Sequence, residues 1–189
     1  MVIDVKFSKK SYKSVGKRPI RHDGLDKVTG KALFGADIQL PGLIYGKVLR
    51  SPHAHARIKS INTTKAESHP SVKAVATFRD LPSVSDKMAD LGESSINYKY
   101  LSNNVLAEDK VLYKGHPIVA VAASSVHVAE EALDLIEVDY EVLPSVTNAE
   151  DAMKTGAPIL HEEMVTGGEL GDDTPKGTNI ASHTQHKSG

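Results

Sequence analysis

The amino-acid sequence predicts an α+β domain with a mixed sheet, two main helices and one long loop. Two observations carry this prediction. Short stretches in which apolar and polar residues alternate recur along the 189-residue chain, as expected of β-strands. In the second half, residues 126–136 space their apolar side chains as a helix buried on one face does. A chain of this length can bury roughly 70% of its unfolded surface, so it can form a core without disulfides.

The strands are predicted from this alternation and from the turn residues that bound them. Pro41 and Gly42 form a turn that starts the first strand, and Pro144 ends the last. In the earlier KVTG stretch, Gly30 is expected to adopt a positive φ. The apolar run PIVAVAA at residues 117–123 is the candidate for the centre of the sheet. The predicted strands span residues 43–50, 56–61, 72–78, 111–113, 117–123 and 138–143.

Side chains that can cap a helix precede each predicted helix, because Ser, Thr and Asn satisfy the free backbone N–H groups at a helix start. The first predicted helix is a short one that follows Thr63 and Thr64 and ends before Pro70. The second spans residues 126–136 and follows Ser124 and Ser125. Asn148 caps the third, which runs through Met153 and is closed by Gly156.

Three segments lack a strand or helix pattern. The first 21 residues contain seven basic side chains and one acidic one, so residues 1–15 are predicted to form an exposed basic arm. Residues 81–109 are predicted as a long loop. Residues 162–189 are predicted as a linker or tail, in which Gly167 and Gly168 indicate flexibility. These divisions leave residues 16–161 as the folded domain.

The composition and the missing motifs exclude several classes of function. The chain has no cysteine, which excludes disulfides, thiolate nucleophiles and cysteine-ligated zinc or iron–sulfur clusters. A formal net charge of −1 and the absence of tryptophan give no support for nucleic-acid binding. No apolar run approaches the roughly 18 residues of a membrane span. Phosphate-binding glycine motifs and the G-x-S-x-G nucleophile elbow are also absent.

Histidines are the candidate metal ligands. His53 and His55 lie two apart in SPHAHAR, and on a strand both side chains would point to the same face and could supply two ligands. The alternative is a turn or strand edge where the imidazoles hydrogen-bond to the backbone. His183 and His186 lie three apart in the predicted tail, where His186 is interpreted as a solvated residue.

The pair Met153–Lys154 invites comparison with biotin carrier domains. There a second methionine follows the lysine, whereas here Thr155 follows, and the pair ends a predicted helix. The motifs alone therefore assign no catalytic, cofactor-binding or metal-binding residue.

Several stretches together resemble one family. Residues 16–62 contain an Arg-x-Asp, a Lys-Val-Thr-Gly, an Asp before Leu-Pro and a Leu-x-Arg-Ser-Pro-x-Ala-His-Ala-x-Ile pattern. These residues are Arg21, Asp23, Lys27, Val28, Thr29, Gly30, Asp37, Leu40, Pro41, Leu49, Arg50, Ser51, Pro52, Ala54, His55, Ala56 and Ile58. They are similar to the start of the molybdopterin-binding large subunit of the xanthine dehydrogenase and aldehyde oxidase family. Phe34 departs from the tyrosine that the family often has.

Later stretches resemble the same family in the same order. Residues 111–143 are similar to its Gly-x-Pro-Val-Ala-x-Val-x-Ala strand, its Ala-rich helix and its closing Val-x-Tyr-Glu-x-Leu-Pro strand. Residues 149–161 continue the match, and Asn179, Ile180 and His183 resemble the segment that leads out of this domain.

The resemblance implies a fold and a setting. This region of the family is the α/β hammerhead domain of molybdenum hydroxylases, which pass electrons through two [2Fe–2S] clusters and usually FAD on other subunits or domains. The family's general-base glutamate, its glutamine near molybdenum and its pterin-binding loops belong to later domains. The resemblance therefore carries no catalytic, cofactor-binding or metal residue onto this chain, and it implies molybdopterin-molybdenum only in the full complex.

Two hypotheses follow. In the first, the chain is the N-terminal structural and assembly domain of a cytoplasmic molybdenum-dependent hydroxylase and is inactive alone. Its partners would be the remaining large-subunit domains, the iron–sulfur and flavin subunits, and possible further copies of itself through the exposed interface. In the second, the chain is a free-standing, non-catalytic interaction module with the same fold.

Overall fold

The computed structural model describes residues 12–84, 87–90, 95–163, 167–168, 176–184 and 186. The chain divides into two compact units, Met1–Pro41 and Gly42–Gly189. Of the predicted basic arm at 1–15, residues 1–11 lie outside the described residues, as does half of the predicted tail at 162–189. The boundaries at 15/16 and 161/162 therefore stay predictions.

The first unit consists of short helical turns. They are α1 at Gly24–Val28 and a 3-10 turn at Gly35–Asp37. Before α1, Asp23 forms ion pairs with Arg21 and Lys27, and these pairs lower the pKa of its carboxyl. After α1, Gly30 has a φ of +72°, as the KVTG turn predicts. None of the described residues 12–41 is buried, so this segment has no core of its own.

Two three-stranded sheets form the framework of the second unit. The strands of the described residues are β1 Tyr45–Arg50, β2 Ala56–Asn62, β3 Val72–Ala76, β4 Met88–Asp90, β5 Ser95–Asn97, β6 Lys110–Val111, β7 Pro117–Ala123, β8 Glu137–Val142, β9 Gly167–Gly168 and β10 Ser182–His183. In the first sheet β7 lies between β1 and β3, and in the second β2 lies between β6 and β8. All four pairings in these sheets are antiparallel.

The strand predicted as the sheet centre occupies the centre of the first sheet. Ile118, Val119, Val121 and Ala123 of β7 are each exposed by 2% or less. Ile118, Val119 and Val121 share one core cluster with residues of the second sheet and with Ala132. A strand that has neighbours on both sides needs small or branched apolar side chains, and PIVAVAA supplies them.

The α+β class is confirmed, with a correction to the predicted mixed sheet. Alternation shows which residues face inward but not which strands are neighbours. The turn at residues 51–55 separates the consecutive strands β1 and β2 into different sheets, and both sheets are antiparallel. Among the described residues, a parallel pairing joins Gly167–Gly168 to Ser182–His183. The glycine pair that indicated flexibility is thus part of a short strand.

The helices of the second unit are α2 Thr64–Glu67, α3 Tyr98–Val105, α4 Val126–Asp134 and α5 Ala149–Ala152. Two predicted caps are confirmed, because Ser125 Oγ accepts the Val128 N–H at 3.2 Å and Asn148 Oδ1 accepts the Asp151 N–H at 2.8 Å. No helix of the described residues is long and apolar enough to cross a membrane.

Two helix ends differ from the prediction. The hydroxyl of Thr63 donates to the carboxylate of Glu67 and does not cap the backbone of α2. Helix α5 ends at Ala152, and Gly156 lies beyond it in a turn, with a φ of +82°. Short helices end where their capping contacts are satisfied, which spacing alone does not show.

The prediction of one long loop at residues 81–109 is wrong for much of its length. The described part contains the antiparallel pair β4–β5 and the helix α3, while residues 85–86 and 91–94 lie outside the described residues. Asn97 caps α3 by accepting the Lys99 N–H at 2.9 Å. A helix of eight residues was missed because its apolar residues lie among polar ones.

Candidate functional site

The two histidines of SPHAHAR lie in the turn between β1 and β2. The His53 ring stands edge-on to Tyr140, with ring centroids 4.9 Å apart. The His55 Nδ1 lies 2.6 Å from the carbonyl oxygen of Pro144, just after β8. His55 therefore follows the second of the two interpretations, in which the imidazole hydrogen-bonds to the backbone.

The contact with Pro144 fixes the role of one ring nitrogen of His55. A carbonyl oxygen only accepts, so Nδ1 donates to it. His55 is 5% exposed, and its Nε2 is buried without a hydrogen-bond partner among the described residues. The bond to Pro144 ties the start of β2 to the end of β8, which is a structural task.

The other sequence candidates do not converge with this pair. His183 lies in β10, and His186 is exposed. Lys154 forms an ion pair with Asp151 one turn back, at the end of α5. Its surroundings are a helix end, as the sequence indicated, and not the hairpin tip of a biotin carrier.

A second pair of histidines, which sequence reasoning did not single out, is brought together beside α3. The buried His116 stacks on Tyr113 with ring centroids 4.4 Å apart. His161 stands edge-on to Tyr100 of α3 at 5.2 Å. Burial lowers the pKa of both imidazoles, and the charges of Lys110 and His116 lower the pKa of His161 further. The two histidines are far apart in the chain, so no local spacing could have revealed them.

A groove in the second unit lies between β2 and the segments 77–84 and 107–109. Its volume is about 910 Å³. It carries charges of both signs, from Lys59 and Arg79 and from Glu108 and Asp109, and all four side chains are exposed. A binding site usually presents a few convergent polar groups in an apolar pocket, which this groove does not.

Comparison with known proteins places this geometry in a family. Residues 29–144 match the family model described as "Aldehyde oxidase and xanthine dehydrogenase, a/b hammerhead domain". The chain belongs to the aldehyde oxidase and xanthine dehydrogenase family. The matched range includes both three-stranded sheets and α4, so the hammerhead fold implied by the resemblance is confirmed.

Similarity to individual proteins agrees with the family match. The chain is 41% identical to a probable xanthine dehydrogenase subunit of Bacillus subtilis strain 168, over 76% of this chain and 18% of that protein. It is 39% identical to the carbon monoxide dehydrogenase large chain of Afipia carboxidovorans, over 71% of this chain and 16% of that protein. Quinoline 2-oxidoreductase from Pseudomonas putida 86 superposes with a TM-score of 0.64 at 33% identity, over 80% of this chain and 19% of that one.

The chain thus spans less than a fifth of the length of these relatives. It is homologous to the hammerhead domain of molybdenum hydroxylase large subunits. The first two of these relatives are named as a subunit and as a large chain.

The sequence and the described residues show no ligand set for iron–sulfur clusters or for a metal ion. Iron–sulfur clusters need thiolate ligands, and the chain has no cysteine. No three His, Asp or Glu side chains of the described residues come together as metal ligands. The groove along β2 is lined by charged side chains of both signs. We derive no chemical step through molybdenum, iron–sulfur or flavin on this chain.

Proposed function

We propose that this chain is the N-terminal structural and assembly domain of a molybdenum-dependent hydroxylase large subunit, with the molybdenum site on other domains. The single observation that carries the proposal is the match of residues 29–144 to the hammerhead domain, combined with coverage of less than a fifth of the relatives. In this proposal the chain is inactive alone and works in the cytoplasm. The iron–sulfur and flavin subunits complete the enzyme.

The first unit supports an assembly role because its apolar side chains are exposed. Ile20 is 97% exposed, Leu33 85% and Val28 84%. The remaining large apolar residues of this unit with exposed side chains are Tyr12, Val15, Leu25, Phe34, Ile38 and Leu40. Burying one such side chain is worth about 1.5–3 kcal/mol, so a surface of this kind favours association with another protein surface.

Charge gives that surface a preference. Residues 1–41 contain nine Lys and Arg side chains but four Asp side chains, whereas the whole chain has a formal net charge of −1. A basic, apolar segment is complementary to an acidic surface with apolar pockets. We expect the surface that covers residues 12–41 to lie on the remaining large-subunit domains and to have this character.

Helix α3 gives a second reason for an assembly role. Tyr98, Leu101 and Val105 lie on one helical face, and they are 43%, 46% and 52% exposed. The opposite face carries Tyr100 and Asn103 toward the histidine pair. A helix that turns its apolar face to solvent is stabilised when another surface covers that face.

A domain exchange tests the proposal. The hammerhead segment of the Bacillus subtilis relative is replaced by residues 29–144 of this chain, and molybdenum content and assembly of the purified chimera are measured. We expect the chimera to assemble and to retain molybdenum, whereas the 189-residue chain alone binds none. Stoichiometric molybdenum on the chain alone would contradict the proposal, as would a folded chimera that neither assembles nor holds the metal.

The self-contained core of the second unit favours one alternative, a free-standing interaction module. Twelve hydrophobic residues in the described part of this unit are buried, and the core histidines His55 and His116 have backbone partners. This alternative predicts a monodisperse chain that does not associate with the remaining large-subunit domains. Sedimentation of the chain alone and mixed with those domains distinguishes the two functions.

A further inference from the structure

His116 holds α3 to the rest of the second unit. It is fully buried after β6, at the turn that leads into β7. Its Nδ1 lies 3.1 Å from the backbone nitrogen of Leu112, and its Nε2 lies 2.7 Å from the backbone oxygen of Asn103 in α3.

These two contacts fix the protonation state. The Leu112 N–H can only donate, so Nδ1 must accept with its lone pair, and Nε2 carries the proton that it donates to the Asn103 carbonyl. The imidazole in this site is therefore neutral. A second proton would have to add to Nδ1, where it would face the Leu112 N–H, and that bond would be lost.

The surroundings of His116 disfavour a positive charge. Burial is the main cause that lowers its pKa, and the hydrogen bond to Asn103 opposes this effect. Tyr113 stacks on the His116 ring, Arg50 donates to the Gly115 carbonyl and Lys114 lies next in the turn. His161 lies close enough for the charge of His116 to lower its pKa, and the charge of Lys110, which pairs with Glu162, lowers the pKa of His161 as well. On α3, Tyr100 contacts His161 and Lys99 is the residue before it. Of these groups, Glu162 is the acid, and its side chain is 73% exposed.

We propose that His116 is a pH-sensitive latch: protonation of its imidazole releases α3 from the body of the second unit. The proton adds to Nδ1, the Leu112 N–H loses its acceptor, and a cation is left buried near His161. The imidazolium can still donate from Nε2 to the Asn103 carbonyl, so the cost comes from burying the cation and from the lost Leu112 bond. Local opening of α3, which contacts the ring through Asn103, lets the cation reach water. The latch does not depend on the proposed function.

Amide hydrogen exchange of the full chain between pH 7.5 and 5.5 tests the latch, after correction for intrinsic exchange rates. A single linked proton changes an opening equilibrium by up to about tenfold per pH unit below the unfolded histidine pKa of about 6.5. Because this interval starts at that pKa, we expect the protection of the α3 amides to fall about fivefold between pH 6.5 and 5.5, and the amides of β7 to change less.

Two variants separate the histidines. His116→Gln keeps an acceptor and a donor at matching positions but does not titrate. In this variant we expect the α3 amides to stay protected at pH 7.5 and their protection to lose the pH dependence that comes from His116. His161→Gln is the matched control, in which the protection of α3 should keep that pH dependence. Equal pH dependence in wild type and His116→Gln would overturn the latch.

If the α3 amides of His116→Gln are already unprotected at neutral pH, a direct titration of the wild-type chain tests the latch instead. The imidazole nitrogens of His116 are followed by NMR in the wild-type chain. The latch requires the Nε2–H tautomer at pH 7.5 and a pKa below that of a free histidine. The opposite tautomer, or an undepressed pKa, would refute it.

Discussion

Replacing Val121 by Ala is expected to destabilise the second unit by about 2.5 kcal/mol. Val121 is 2% exposed in β7, opposite Lys47 of β1 and Val75 of β3. The substitution removes two methyl groups, which costs about 1.6 kcal/mol at about 0.8 kcal/mol each. The backbone of β7 is held on both sides, so the space does not close, and a residual cavity of about 40 Å³ adds roughly 1 kcal/mol.

Val142→Ala is the matched control. Val142 carries the same side chain on a strand, but it is 63% exposed and lies in β8 at the edge of its sheet. Both variants lose the same β-propensity, but Val142→Ala loses little buried apolar surface and leaves almost no cavity. We expect a cost below about 1 kcal/mol, as for most exposed substitutions.

Urea unfolding followed by far-ultraviolet circular dichroism measures both variants, since the chain has no tryptophan to report on the core. The midpoint of Val121→Ala should fall while its m-value stays constant, because the native fold and the surface exposed on unfolding are unchanged. Equal destabilisation by the two variants would mean that β7 is not the centre of the core.

Three further predictions concern single contacts. Ser125→Ala should cost about 1 kcal/mol in urea unfolding because it removes the cap of α4, whereas Ser124→Ala, at an exposed neighbour, should cost less than about 0.5 kcal/mol. Asn179→Ala removes two bonds, of 3.0 and 2.9 Å, to backbone carbonyls near α5, so limited proteolysis at residues 176–184 should accelerate; an unchanged digestion rate would contradict this role. The backbone N–H and then the hydroxyl of Thr77 lower the pKa of Asp80, so its stabilising contribution is present above about pH 4 and is lost as the pH falls through the lower folded value. Asp80→Asn should flatten the dependence of unfolding free energy on pH below about 4, and an unchanged slope would exclude this contribution.

The strands and caps could be predicted because their determinants are local. Alternation located β1, β2, β7 and β8, and the small apolar run of β7 indicated a strand with two neighbours. Asn148 and Ser125 act within one helical turn of themselves, so the sequence beside them is sufficient. Sheet membership was not predictable in this way, because strand neighbours are chosen by contacts distant in sequence.

Helix α3 shows why residues 81–109 were misjudged. Asn97 followed by Tyr98, Leu101 and Val105 is a helical spacing after a capping residue, so a local signal existed. The rule that apolar residues face the core fails here, because these residues are exposed and the inward contacts are made by Tyr100 and by the backbone of Asn103. An exposed apolar face on this helix is what the proposed assembly role expects.

The histidines show the same dependence on distant contacts. His55 and His116 are both buried, but the partner of His55 lies 89 residues away and that of His116 lies 13 away across α3. The spacing of His53 and His55 in SPHAHAR suggests two metal ligands, whereas no sequence motif surrounds His116, the buried histidine whose pKa is lowered. Burial lowers the pKa of His116, since desolvation disfavours the cation, and burial is a property of the folded chain. We therefore expect the pH response of α3 to follow His116.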